Sequence, residues 1–221
     1  MRITCLIFLT AFPLTVTADD YLMVFSADGI PYRPTTAHTF AAVVRVECRA
    51  GATPHVVELQ SLSWLPATGK VRGLALRSEK GRNVPLDETL RDAQATGRTI
   101  CLWGPYRIQS EVADQFRGRI VTVESSFAYK GASFFSPLHV CDCARSVEEL
   151  LGSRRYIGVF GYGAAAASVI VQKYSSSLIL PEQAHPEVAT LCGLDDYTLT
   201  RRSYGDFTSR GNQWKASLRL R

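Results

Sequence analysis

The stretch His38-Thr-Phe-Ala-Ala-Val-Val-Arg-Val-Glu-Cys48 decides the fold class. Period two puts His38, Phe40, Ala42, Val44, Val46 and Cys48 on one face of an extended strand, with Arg45 and Glu47 on the other. His38 therefore points to the side of the apolar set, at the strand's leading end. Gly51 and Pro54 mark a turn, and residues 55–65 read as a second strand, so the two runs form an antiparallel hairpin. Residues 21–25 before the hairpin, and 71–76 after the turn at Pro66-Ala-Thr-Gly69, read as further strands.

Downstream the pattern changes. Leu86, Leu90 and Ala93 share a stripe that predicts a helix over 85–95. Residues 99–103 read as a strand closed by Gly104-Pro105. Ser110 can cap a helix through Phe116, and residues 120–128 read as one or two strands. Helices follow over 141–151 and 163–174, then a short strand over 177–180 and a short helix, punctuated by Pro181 and Pro186, that runs up to Leu191 and that Gly193 would end. Strand hairpins with segregated helices argue for an α+β fold, with an antiparallel sheet of N-terminal and central strands, rather than a regular βαβ repeat.

Within the 221 residues, the first 18 have the composition of a leader. Arg2 supplies a positive start, residues 3–16 are almost wholly apolar, and Val16-Thr17-Ala18 offers the small residues that a signal peptidase needs. This predicts a signal peptide over 1–18, a single domain over 19–200, a basic C-terminal tail over 201–221, and a secreted or periplasmic location. No later stretch is apolar enough for a membrane span. With 46% hydrophobic and 20% charged residues, most of the chain is expected to fold around a core. The net charge of +5 owes much to Arg201, Arg202, Arg210, Lys215, Arg219 and Arg221. No nucleic-acid fold signature accompanies them, so a solvated terminus is expected and no specific nucleic-acid partner. Nothing in the composition speaks to oligomeric state.

Five cysteines lie beyond the leader: Cys48, Cys101, Cys141, Cys143 and Cys192. An odd count in an oxidising compartment leaves at least one thiol, either one reactive thiol beside two disulfides or several buried thiols. Residues 136–151, Ser-Pro-Leu-His-Val-Cys-Asp-Cys-Ala-Arg-Ser-Val-Glu-Glu-Leu-Leu, place Cys141 at the start of the predicted helix. There the unpaired backbone N–H groups and the helix dipole favour thiolate, the nucleophilic form. Cys143 shares the apolar stripe with Val147, Leu150 and Leu151, which marks it as a small buried hydrophobe. Geometry thus favours Cys141 as the reactive thiol.

A thiol nucleophile needs a base and a group to orient that base. His55 sits beside Pro54 in a turn, His139 is two residues from Cys141, and His185 precedes Pro186, which leaves His38 as the base. On the neighbouring strand, Glu58 or Ser63 could hold the second imidazole nitrogen, with Glu58 preferred.

Two other signals compete. Gly161-x-Gly163-x-x-Ala166 before a helix, with Glu182 downstream, has the local form of a dinucleotide fingerprint. Too little chain follows to complete that sheet, and small residues also permit close helix packing, which is the preferred reading. His139, Cys141 and Cys143, with Cys101 or Cys192 as a fourth ligand, cluster possible zinc donors, but the spacing is tighter than structural zinc usually takes. No cofactor and no metal is expected.

The order of a histidine on an early strand, a polar residue on the next and a later cysteine opening a helix resembles the circularly permuted papain-like group. That group includes the permuted NlpC/P60 peptidases and the lecithin:retinol acyltransferase-like proteins. The segments His38-Thr-Phe-Ala, Ser63-Trp-Leu-Pro and Trp103-Gly-Pro-Tyr also resemble secreted bacterial proteins with the same order; the resemblance covers residues 38 to 175, and the Cys141-Asp142-Cys143 doublet departs from it. The resemblance implies a cysteine hydrolase or acyltransferase acting on an amide or ester through an acyl-enzyme. Cys141 would be the nucleophile, His38 the base and Glu58 the orienting group. The implied partner is a peptide or acyl substrate, with peptidoglycan peptide bonds as the natural class. A reading from a different class is a non-catalytic envelope-binding or interaction domain that keeps the fold without the activity.

Overall fold

The computed structural model describes residues 16–30, 37–71, 77–130, 140–141, 143–150, 163–173, 175–180 and 182–206. At its centre lies a five-stranded sheet built on β1 (Val16–Asp28), β2 (His38–Arg49), β3 (His55–Leu62), β6 (Thr99–Ile108) and β9 (Leu199–Arg202), in the order β3-β2-β1-β6-β9. Every pairing in it is antiparallel except β6 with β9. A smaller sheet, in the order β4-β5-β7-β8, joins β4 (Trp64–Pro66), β5 (Glu79–Asn83), β7 (Ala128–Tyr129) and β8 (Val140–Cys141).

β1 and β2 are buried on both faces, so alternate side chains feed two cores. Leu22, Val24, Ala41 and Val43 point to one side, where they meet α2 (Ser110–Ser126), α3 (Cys143–Leu150) and α4 (Ala164–Lys173). Met23, Phe25, Phe40, Ala42 and Val44 point to the other, against α1 (Leu86–Ala95) and α5 (Pro186–Leu191). The fold is thus mixed α+β with a mostly antiparallel sheet, and its helices cover both faces. Among the described residues, no helix is long and apolar enough to cross a membrane.

Local chemistry explains most boundaries. α1 buries Leu86, Thr89, Leu90 and Ala93 at helical spacing. It stops at Gly97, whose positive φ of 67° lets the chain turn back while the N–H groups of Gly97 and Arg98 bond the Gln94 and Ala93 carbonyls. α2 corrects the expectation of strands over 120–128. Ile120-Val-Thr-Val looks β-forming, but Ala113, Phe116, Ile120 and Val123 form a buried helical stripe against the sheet, and tertiary packing overrides the propensity of the β-branched residues. β6 likewise runs on through Gly104 and the cis Pro105 to Ile108, opposite a register shift between Leu22 and Val24. The expected short strand over 177–180 is reduced to a single bridge between Ile108 and Leu178, and the strand expected over 71–76 falls on residues 72–76, outside those described.

β1 begins at Val16, inside the stretch read as a leader, and Asp20 is a buried strand residue. β9 carries Arg201 and Arg202, read as part of the basic tail, into the sheet.

Candidate functional site

One end of the central sheet gathers the chemistry. His38 opens β2, opposite Ala27 near the end of β1, and is 3% exposed. Its ring stacks on Phe40 at 5.2 Å between centroids. Nε2 lies 2.8 Å from Oγ of Ser63, in the link between β3 and β4, and Thr89 Oγ1 on α1 donates to the same Ser63 Oγ at 2.8 Å. Ser63 is held in turn: its N–H donates to Asn83 Oδ1 at 2.8 Å, and its carbonyl accepts from Val84 N–H at 2.9 Å. Three elements thereby fix the plane and rotation of one imidazole.

Proton accounting gives this chain its meaning. If Thr89 donates to Ser63 and Ser63 to Nε2, the imidazole carries its proton on Nδ1. If the chain runs the other way, the Thr89 hydroxyl ends on the Pro85 carbonyl, 3.0 Å away, and Nδ1 is a bare base. In both cases Nδ1 is the ring atom without a hydrogen-bond partner among the described residues, although it is buried. Burial, followed by the charge of nearby Arg98, pushes the His38 pKa down to about 3. The resting imidazole is therefore neutral, and Nδ1 is open to a proton in the arrangement where Nε2–H donates to Ser63.

His38 borders two adjoining cavities. One, of about 150 Å³, is lined by Ala37, His38, Leu65, Asp92, Arg98, Tyr129 and Cys143, among others. The other, of about 460 Å³, lies between His38 and the polar face of α1, with Thr89, Glu88 and Asp92 in its wall. Cys143 is the first residue of α3 and is 3% exposed; Val147, one turn on, is fully buried. A thiol at the first turn of a helix and a neutral imidazole thus share one small cavity.

This arrangement corrects two sequence-based assignments. Cys141 does not open a helix: it ends β8, where its backbone pairs with Tyr129. The helix begins two residues later, so the helix-dipole argument applies to Cys143. Glu58 does not orient His38. It pairs with Arg45 across the hairpin, accepts from Gln60 at 2.9 Å and bridges Arg117 at 3.0 Å. The hydroxyl on His38 is that of Ser63, the other residue considered. His55 is exposed, and His185 caps α5 beside Glu187, 3.0 Å away. His139 lies outside the described residues.

The competing signals also find places. Gly163, with φ of 67°, precedes α4, and a Cβ there would sit 1.8 Å from Asp28 Oδ1. Asp28 Oδ2 accepts the Ala164 N–H at 3.0 Å, and Thr39 donates to the Gly163 carbonyl at 3.2 Å. A carboxylate of the chain itself occupies the helix N-terminus that a pyrophosphate would need. Among the described residues, no three His, Cys, Asp or Glu side chains converge as a metal site. Cys48, Cys101, Cys143 and Cys192 are thiols, and burial pushes the Cys192 thiol up to about 11. Comparison of the chain with known family models, with curated proteins and with solved structures finds no match.

Proposed function

We propose that this protein is a thiol-dependent acyl-transfer enzyme, a hydrolase or acyltransferase acting on an amide or ester, with Cys143 as nucleophile. The observation that carries this reading is that Cys143 and His38 line one cavity, with the imidazole buried, neutral and held on Nε2 by Ser63. The chain order of histidine, hydroxyl residue and helix-opening cysteine suits a permuted papain-like enzyme, with Ser63 in the orienting role.

The chemistry runs as follows. Sγ of Cys143 attacks the carbonyl carbon as its proton passes to Nδ1 of His38, and the carbonyl π electrons move onto oxygen. N–H groups of the first turn of α3 are the natural donors to that oxyanion. Collapse expels the amine or alcohol, which takes the proton from His38 and leaves a thioester on Cys143. Water or another acceptor then attacks the thioester with His38 again as base, the C–S bond breaks to release the acyl product, and Sγ of Cys143 takes the proton back from His38. Ser63 and Thr89 hold the ring through both steps. A secreted chain of this type would meet cell-wall peptides, which makes them the first substrates to try.

The test is alkylation of the reduced protein by iodoacetamide at neutral pH, mapped by mass spectrometry. Cys143 is expected to label fastest, and His38→Ala to slow that site alone by about tenfold or more. Equal, slow labelling of every thiol would overturn the reading. It would favour a binding module that keeps the fold without the activity, a view that the close stacking of His38 on Phe40 supports. Fast labelling at Cys141 would move the nucleophile back to that residue.

A further inference from the structure

The cavity walls carry charge as well as the dyad. Three arginines line the larger compartment: Arg82, Arg91 and Arg98. Arg91 is exposed and held by Asp87 at 2.6 Å, and Arg82 is exposed and held by Glu88 at 3.4 Å. Arg98 differs. Its side chain is only 25% exposed, it lines both compartments, and among the described residues its one ion pair, to the open Asp92, is long at 3.5 Å. Its backbone N–H is held by the Ala93 carbonyl at 2.9 Å in the turn that ends α1, and its charge reaches His38. A guanidinium has five N–H donors in a planar fork, and a single long contact leaves most of them for a planar anion.

The charge balance points the same way. A cation beside His38 opposes the imidazolium that forms as the thiol loses its proton. Apart from Arg98, the titratable groups that line the smaller cavity among the described residues are His38, Asp92 on α1, Tyr129 on β7 and Cys143 on α3; of these Asp92 is the single carboxylate and is largely solvated. An anion docked on Arg98 would offset that opposition at the moment the proton moves.

We infer that Arg98 is a specificity-determining residue that receives a carboxylate of the substrate, so that the preferred acyl donor is a peptide with a carboxylate close to the bond that is cleaved. The inference rests on the acyl-transfer reading for its meaning, but carboxylate binding can be measured without turnover.

The experiment titrates the reduced full-length protein with N-acetylalanine and, separately, with its carboxamide, following the His38 ring signals by NMR. The carboxylate is expected to bind about tenfold or more tightly than the amide. Arg98→Gln should abolish that preference, Arg98→Lys should keep part of it, and Asp92→Asn, which frees the guanidinium, should tighten carboxylate binding severalfold. Equal affinity for the two probes, or a preference that survives Arg98→Gln, would overturn the inference. Cys143→Ala separates the two claims. If it keeps the carboxylate preference while no thiol is selectively alkylated in the native chain, carboxylate recognition stands and the acyl-transfer reading fails. Selective alkylation of Cys143 without a carboxylate preference has the opposite meaning.

Discussion

The central sheet buries polar groups at two places along β1 and β2, and they are finished in opposite ways. Asp20, 1% exposed, accepts from Arg45 at 3.1 Å and from Arg117 at 2.7 Å, and Arg117 also reaches Glu58 and Asp114. Each charge in that cluster faces an opposite one. At the other end, His38 is held on one nitrogen by Ser63, its second nitrogen has no hydrogen-bond partner among the described residues, and the residue lines a cavity with Cys143 and Arg98. A closed network organises the fold. A network that ends on a residue lining a cavity is where chemistry can be sought. The contrast also explains why Glu58, a reasonable partner for a histidine on chemical grounds, belongs to the structural cluster.

The largest effect expected at the open end is on chemistry. Cys143→Ala should remove acyl-enzyme formation altogether, read as loss of the acetyl adduct after exposure to p-nitrophenyl acetate. His38→Ala should slow acylation by about 10²- to 10⁴-fold, the usual range for a positioned general base. Cys141→Ala should leave both readouts near the native level. An adduct on Cys141 would place the reactive thiol at the end of β8.

At the closed end the largest effect is on stability. Asp20→Ala leaves Arg117, itself 12% exposed, facing a buried gap and should cost about 3 kcal/mol in denaturant unfolding, the lower part of the range for breaking a buried pair because Arg45 stays partly solvated. Alkylation of Cys143 in the folded protein should be unchanged. A matching loss of thiol reactivity would show that the two ends are coupled through β1 and β2, and the contrast drawn above would fail.

The two ends should also separate on a pH axis. The folded His38 pKa, about 3, lies below its ordinary value of 6.5, so the unfolded chain takes up this proton first. The associated stability is complete above about pH 6.5 and is lost as pH falls toward 3. For Asp20, burial alone would raise the pKa, but hydrogen bonds and charge from Arg45 and Arg117 outweigh it and lower the folded value below 3.8. Its contribution is complete above that ordinary value and is lost at still lower pH. Stability measured from pH 7 to pH 5 should therefore fall in the native chain and fall less in His38→Gln, whereas Asp20→Asn should keep the native slope over that interval. Equal slopes in native protein and His38→Gln would mean that His38 is not held neutral.

Much of this was legible in the chain. The period-two pattern of residues 38–48 placed His38 on the face of Phe40 and Ala42, and β2 has that register. The stripe from Leu86 to Ala93 marked α1. The identity of the thiol was obscured by a correct observation. Cys143 does share the buried stripe with Val147, but it also lines a cavity with His38, so burial did not by itself set it aside as a candidate. The start of α3 could not be set from the Cys-Asp-Cys doublet, because helix boundaries are uncertain by one or two residues. The charge cluster was invisible for another reason: Asp20, Arg45 and Arg117 come from three distant segments that only the completed sheet and α2 bring together.

The choice between Glu58 and Ser63 supplies the smallest and most discriminating effect. In an antiparallel hairpin, the leading end of one strand meets the trailing end of the next. Ala41 pairs with Leu62 and Arg45 with Glu58, so the partner of His38 must lie beyond Leu62, and Glu58 is too near the turn. That reasoning follows from the turn at residues 50–54 and needs no side-chain geometry. Ser63→Ala should therefore cost severalfold in the acylation rate of Cys143 while leaving the affinity for a carboxylate probe unchanged, since a loosened imidazole affects proton transfer rather than docking. Ser63→Thr, which restores the hydroxyl, should recover part of the rate. Glu58→Gln should leave the rate unaltered and cost at most about 1 kcal/mol of stability, because Glu58 is partly solvated and Arg117 keeps Asp20 and Asp114. If Glu58→Gln slowed acylation as much as Ser63→Ala, the hydrogen-bond chain through Thr89 and Ser63 would not be what orients the base.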